Sequence, residues 1–279
     1  MNIKKEYLWK DYNYKTKEEM PYSRQISIKS KDSNLYGYVL VPGAIYQEKR
    51  PCILMFHGFP GYTTNNDLEQ AFRRIGFVVF HVNHRGAWGS EGEYLFHHLV
   101  EDAVSIADWV KEHAEDFSID TNQIFLSGHS MGGMTVLNAA KHLPYVKGVI
   151  AMAPYDLHNW FDQGEENKLM ELILEEGNCL KHQGNEIIFA DAKKYHSQLS
   201  IEKTYDALKN LNVLFVGAKF DDVAPPDRMI EPVWNHLTEH KTSANQKYVL
   251  LETEHSFCGN RIILAETIAD WLETLDKNV

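Results

Sequence analysis

The sequence is poor in the features that would place it in several large classes of protein. Of its 279 residues only three are cysteines, Cys52, Cys179 and Cys258. They lie far apart and form no C-x-x-C pair, which excludes a disulfide framework and a structural zinc site and leaves reduced thiols as the expectation. No run of about eighteen uncharged apolar residues occurs, so no membrane-spanning helix is expected. The first twenty residues, MNIKKEYLWKDYNYKTKEEM, lack the apolar core and small-residue cleavage site of a secretory signal. We therefore expect a soluble, cytoplasmic protein. Lysine and arginine number 28 against 39 aspartates and glutamates, for a formal net charge of -11 and no long basic block. That balance repels phosphate backbones and anionic lipid, so neither nucleic acid nor membrane is an expected partner. Internal repeats and low-complexity tracts are also lacking.

What is present is enough apolar material for a large core, with 44% hydrophobic and 12% aromatic residues. The expectation is one domain over residues 1–279 with an insertion. Two alternating segments, 24–30 (RQISIKS) and 35–42 (LYGYVLVP), flank the turn formers Asp32, Ser33 and Asn34 and read as an N-terminal β-hairpin. The pattern then changes to short, nearly continuous apolar runs: PCILMFHG, GFVVFHVN, QIFLSG, VKGVIAMAP, NVLFVG and KYVLLE. Such runs suit strands buried on both faces of a mainly parallel sheet covered by helices, an α/β architecture. Between them, residues 98–114 place Leu99, Ala103, Ile106, Ala107 and Val110 on one helical stripe, which is core. Residues 155–204 are too long for an ordinary crossover and are expected to form a mostly helical cap.

The strongest chemical signal is Gly128-His129-Ser130-Met131-Gly132-Gly133, directly after the run QIFLS and directly before the helical segment MTVLNAAKHL. G-x-S-x-G between a strand and a helix is the pattern of a nucleophile elbow, in which glycines admit a tight turn that projects the serine hydroxyl. In a simpler reading Ser130 merely caps the helix. A serine hydroxyl is a weak nucleophile at neutral pH and needs a base and a group to orient that base. His255, just beyond the last apolar run and ahead of a helix expected over 261–273, is the candidate base. Two adjacent carboxylates, Asp221 and Asp222, follow the run NVLFVG. Asp221, four residues before Pro225, is the favoured acid, Asp222 the alternative, and Asp156 a third possibility. Backbone N–H groups of Met131 and of Phe59, in the turn His57-Gly58-Phe59-Pro60-Gly61, are the candidate oxyanion donors. His129 reads as structural, and Cys258 as a small packed residue rather than a nucleophile. Trp160 and Phe161 are candidates for an apolar acyl pocket, although at helical spacing they also suit cap core. Glu165 and Glu166 could hold a substrate ammonium, or simply form a solvated helix face.

In these segments, from HGFPG through NHRGAWGSEGEY, GHSMGG and FDDVAPP to His255, the sequence resembles the α/β-hydrolase superfamily over roughly residues 24–275. The resemblance implies an eight-stranded, mostly parallel sheet with helices on both faces, no metal or organic cofactor, and an acyl-enzyme mechanism on an ester, amide or thioester. It supports Asp221 through the D-x-x-x-P arrangement, and it implies that Arg85-Gly86-Ala87-Trp88-Gly89-Ser90 shapes the floor beside the site. Within the superfamily the chain looks similar to serine esterases and to the hydrolase domain of prolyl-oligopeptidase-like enzymes. A small-to-medium carboxylic ester is the expected substrate; the alternatives are a peptidase, amidase or acyltransferase on the same triad, or a non-catalytic ligand-binding homologue.

Overall fold

A computed structural model describes residues 1, 3–46, 49–62 and 65–276 of the chain. Eight strands form one sheet in the order β1-β2-β4-β3-β5-β6-β7-β8. The hairpin comes first: β1 (Tyr22–Ser30) and β2 (Ser33–Val41) pair antiparallel with Ser30 opposite Ser33. The turn is therefore Lys31-Asp32, one to two residues earlier than the turn formers Asp32, Ser33 and Asn34 suggest. Lys31 takes the positive φ of 51° that so tight a reversal demands. β2 also runs antiparallel to β4, and from β4 to β8 every neighbouring pair is parallel.

The parallel part is built from β3 (Arg50–Phe56), α1 (Asn66–Ile75), β4 (Val78–Val82), α2 (Phe96–Glu112), β5 (Ile119–His129), α3 (Met131–Ala139) and β6 (Gly148–Met152). Its strands lie between two cores, which explains their unbroken apolar runs. Cys52, Leu54 and Phe56 face α2 and α3, whereas the intervening Ile53 and Met55 face α1 and the C-terminal helix. The same alternation continues through Ile124 and Phe125 of β5.

Between β6 and β7 the chain departs into α4 (Leu157–Asp162), α5 (Glu166–Glu176), α6 (Asn185–Tyr195) and α7 (Tyr205–Leu208), over the stretch where a helical cap is expected. Leu169, Ile173 and Ile188 anchor these helices to the core on the α2 face. The chain then completes the sheet with β7 (Asn212–Ala218), α8 (Pro226–Met229), α9 (Glu231–Glu239) and β8 (Gln246–Leu251), and the described residues close with α10 (Arg261–Asp276). Among the described residues no helix is long and apolar enough to cross a membrane.

Candidate active site

Six parallel strands point their carboxyl ends to one edge of the sheet, which is where open α/β sheets place ligands. Ser130 stands there, between β5 and α3, with φ 57° and ψ −122°. That conformation is strained for a residue with a side chain, and it holds only because the surroundings determine it. Ser130 N–H donates to the Met152 carbonyl at 2.9 Å, and its own carbonyl accepts from Tyr155 and Met134. The glycines let the backbones close in. A Cβ on Gly128 would sit 2.1 Å from the Gly132 carbonyl oxygen, and one on Gly132 would sit 2.2 Å from that of Phe56. A side chain at Gly128 would force β5 away from the first turn of α3, and one at Gly132 would force that turn away from β3.

The loops after β7 and β8 bring two more groups to the serine. His255 Nε2 lies 2.9 Å from Ser130 Oγ, and His255 Nδ1 lies 2.7 Å from Asp221 Oδ2. With Nδ1–H donating to the carboxylate, Nε2 is left to accept the serine proton. The Asp221 side chain is fully buried, and its other oxygen accepts the N–H groups of Val223 at 2.9 Å and Ala224 at 2.7 Å. Those bonds compensate the burial of a charge. Asp222 is exposed and faces the cavity rather than the imidazole. Asp156 is elsewhere: it caps α4, accepting from His158 N–H and Ile201 N–H, and burial pushes its carboxyl up to about 7.

A cavity of about 250 Å³ opens over Ser130, lined among others by Phe59, Met131, Tyr62, Tyr155, Leu172 and His255. Met131 is the first residue of α3, so its N–H has no acceptor within the helix. The Phe59 ring packs against Tyr94 and Phe96, with centroids 5.6 and 5.9 Å apart, and Phe59 lines the cavity. Two contacts hold that turn. His57 Nδ1–H donates to the Gly58 carbonyl at 2.8 Å, and the Trp88 indole N–H donates to the Pro60 carbonyl at 2.9 Å. Burial pushes His57 down to about 3, so its ring is neutral. Trp88 is a site-shaping residue that sequence reasoning noticed only within a family pattern; nothing in local spacing indicates its partner 28 positions earlier.

The floor expected at Arg85–Ser90 is tied down by a buried ion pair. Asp102 of α2 accepts from Arg85 Nε at 2.6 Å, Arg85 N–H at 2.9 Å and Ser30 Oγ at 2.7 Å. Trp160 and Phe161, expected as an acyl pocket, are not among the residues lining the cavity. Trp160 is buried beside Tyr155 with the Arg228 guanidinium over its ring, and Phe161 stacks on His196 at 4.4 Å. Both pack against the core on the α2 face, because the apolar stripe of so short a helix is consumed in attaching it. Glu165 pairs with Arg228 and Lys168, so it has no free charge to offer a substrate. Cys258 is exposed, contrary to the packed position expected, and its N–H donates to Glu254.

Comparison with known proteins finds relatives of the same fold. The family model described as serine aminopeptidase, S33, matches residues 47–176. An uncharacterized 31.7 kDa protein of Escherichia coli is 30% identical over 127 residues, 43% of each chain. The monoglyceride lipase of Rattus norvegicus is 32% identical over 97 residues, 34% of this chain and 31% of that one. The matched segments thus span less than half the length of these relatives. Among solved structures, Est1E from Butyrivibrio proteoclasticus superposes with a TM-score of 0.64 at 17% identity, covering 90% of this chain and 98% of that one. The sheet order, the elbow and this likeness together define the α/β-hydrolase fold.

Proposed function

We propose that the protein is a serine hydrolase that cleaves a small-to-medium carboxylic ester through an acyl-enzyme intermediate, as one hydrolase domain carrying the helical cap. The observation that carries this reading is the continuous chain from Ser130 Oγ through His255 to Asp221, with links of 2.9 and 2.7 Å. His255 Nε2 takes the hydroxyl proton as Oγ attacks the carbonyl carbon. The Phe59 and Met131 N–H groups receive the oxyanion, and such donors contribute roughly 3 kcal/mol each. The imidazolium then protonates the leaving alcohol, and water, deprotonated by the same ring, releases the acid. Asp221 holds the Nδ1–H tautomer and stabilises the charged ring without taking the proton. In this reading the protein acts in the cytoplasm on a small molecule, without metal, organic cofactor or nucleic acid.

The cavity volume of about 250 Å³ suits a short acyl group. The test is hydrolysis of p-nitrophenyl esters of graded acyl length, with labelling by a fluorophosphonate. Wild type should turn over short esters and label, and Ser130→Ala should lose both. Labelling that survives in Ser130→Ala would remove Ser130 as the nucleophile. A second reading, an aminopeptidase or other amidase on the same residues, is favoured by the description of the matching family model. It predicts faster release of p-nitroaniline from aminoacyl anilides than of p-nitrophenol from esters.

A further inference from the structure

The cavity over Ser130 is electrically one-sided. Besides the groups already described, three carboxylates line it, Glu176, Asp222 and Glu254, and no lysine or arginine does among the described residues. They arrive from separate elements: Glu176 is the last residue of α5, Asp222 sits in the loop after β7, and Glu254 in the loop after β8. Three carboxylates of one sign converging around a hydroxyl from one helix end and two separate loops is more than the chance exposure of one acidic helix face.

The charges are not cancelled locally. Partial burial pushes the Glu254 carboxyl up, but the N–H groups of Ser256 at 2.7 Å and Cys258 at 2.6 Å, with the His255 ring, outweigh this and hold it below its usual range. Glu176 accepts the Tyr62 hydroxyl at 3.0 Å, a neutral donor that leaves the carboxylate its charge. Asp222 is exposed at the rim. Behind His255, Asp221 adds a fourth negative group. Two cations that act on lining residues, Arg261 on His129 and Arg228 on Tyr155, are engaged: Arg261 is bound by Asp67 at 2.6 Å, and Arg228 by Glu165 at 3.0 Å. His129, pushed by burial down to about 3, is neutral.

We propose that Glu176, Asp222 and Glu254 set the charge class of the substrate, so that the Ser130 site prefers an ester whose acyl chain carries an ammonium group, accepts a neutral chain, and rejects one ending in carboxylate. The inference rests on the reading of Ser130 as nucleophile. Opposite charges in a solvated cleft attract weakly, so the effect is a graded preference rather than an absolute one. It diminishes with salt, because the screening length falls from about 10 Å at 0.1 M to about 3 Å at 1 M.

The test uses three p-nitrophenyl esters of similar size: gamma-trimethylammoniobutyrate, its carbon isostere with tert-butyl in place of trimethylammonium, and the adipate monoester. At low salt, kcat/KM should fall by roughly three- to tenfold at each step from cationic to neutral to anionic. In Glu176→Gln combined with Asp222→Asn the cationic-to-anionic ratio should shrink by at least threefold when measured on the same preparation. Because a ratio is read, a partial loss of folded protein cancels. Glu254 is left intact, since it holds the loop that carries His255. Turnover of the neutral ester with no charge order overturns this inference alone. A charge order that persists unchanged in the double variant assigns the preference to the protein's overall charge and overturns the role of these residues. If wild type hydrolyses none of the three, the hydrolase reading falls and this inference with it.

Discussion

His129 Nε2 donates to the backbone carbonyl of His255 at 2.8 Å, so the residue beside the proposed nucleophile holds the loop that carries the proposed base. The ring is buried, and burial, reinforced by the neighbouring His255, pushes its titration from 6.5 down to about 3. Its function in this position is that of a neutral donor.

A pH dependence of stability follows from that. Between about 6.5 and 3 the unfolded chain binds a proton at His129 that the folded chain refuses, so stability rises with pH across this window. It is fully present above 6.5 and is lost as pH falls toward 3; His57, also pushed down to about 3, acts with the same sign. His129→Gln keeps an N–H donor for the His255 carbonyl and removes one titration. Urea unfolding at several pH values should therefore show a shallower acid loss in His129→Gln than in wild type, and equal slopes would refute this account.

The two neighbouring aspartates should differ sharply. Asp221→Asn keeps the shape of the loop but presents an amide to Nδ1, and should lower kcat by about ten-thousandfold through the wrong imidazole tautomer. Asp222→Asn should cost less than about tenfold with a neutral ester, because its carboxylate touches no reacting group. Steady-state kinetics on the two variants decides the matter, and comparable losses would shift the orienting role to Asp222.

Trp88→Phe keeps a ring and removes the donor to the Pro60 carbonyl. Loss of one such bond is worth about 0.5–1.5 kcal/mol, which corresponds to roughly two- to tenfold in rate if the Phe59 amide loses its aim. The expected outcome is a lower kcat with little change in thermal midpoint, since the Trp88 side chain is otherwise exposed. An unaltered kcat would separate Trp88 from the placement of that turn.

Asp102→Ala leaves Arg85 buried without its main partner. Removing one member of a buried ion pair costs about 3–5 kcal/mol, which in a chain of this size lowers the thermal midpoint by roughly 10 °C. Calorimetry should register this fall, and retention of the wild-type midpoint would show that Arg85 finds other compensation, Glu101 being the nearest carboxylate.

The class of fold, and the segments that meet at the candidate site, were legible in local sequence order. Alternation in the hairpin, unbroken apolar runs in the parallel strands, and G-x-S-x-G between β5 and α3 are local consequences of burial and backbone geometry, and local order preserves them. The hairpin turn moved by one to two residues because pairing register, rather than turn propensity, sets where the chain reverses. Only the tertiary structure decided what depends on direction in space. It turned Asp221 toward His255 and Asp222 toward the cavity, although the two are neighbours in sequence. It also consumed Trp160 and Phe161 in packing α4 onto the core, brought Trp88 onto the Pro60 carbonyl, and gathered Glu176, Asp222 and Glu254 around one hydroxyl. Those relations join residues far apart in the chain, and no spacing rule records them, because the distance between two side chains is set by the packing of whole elements.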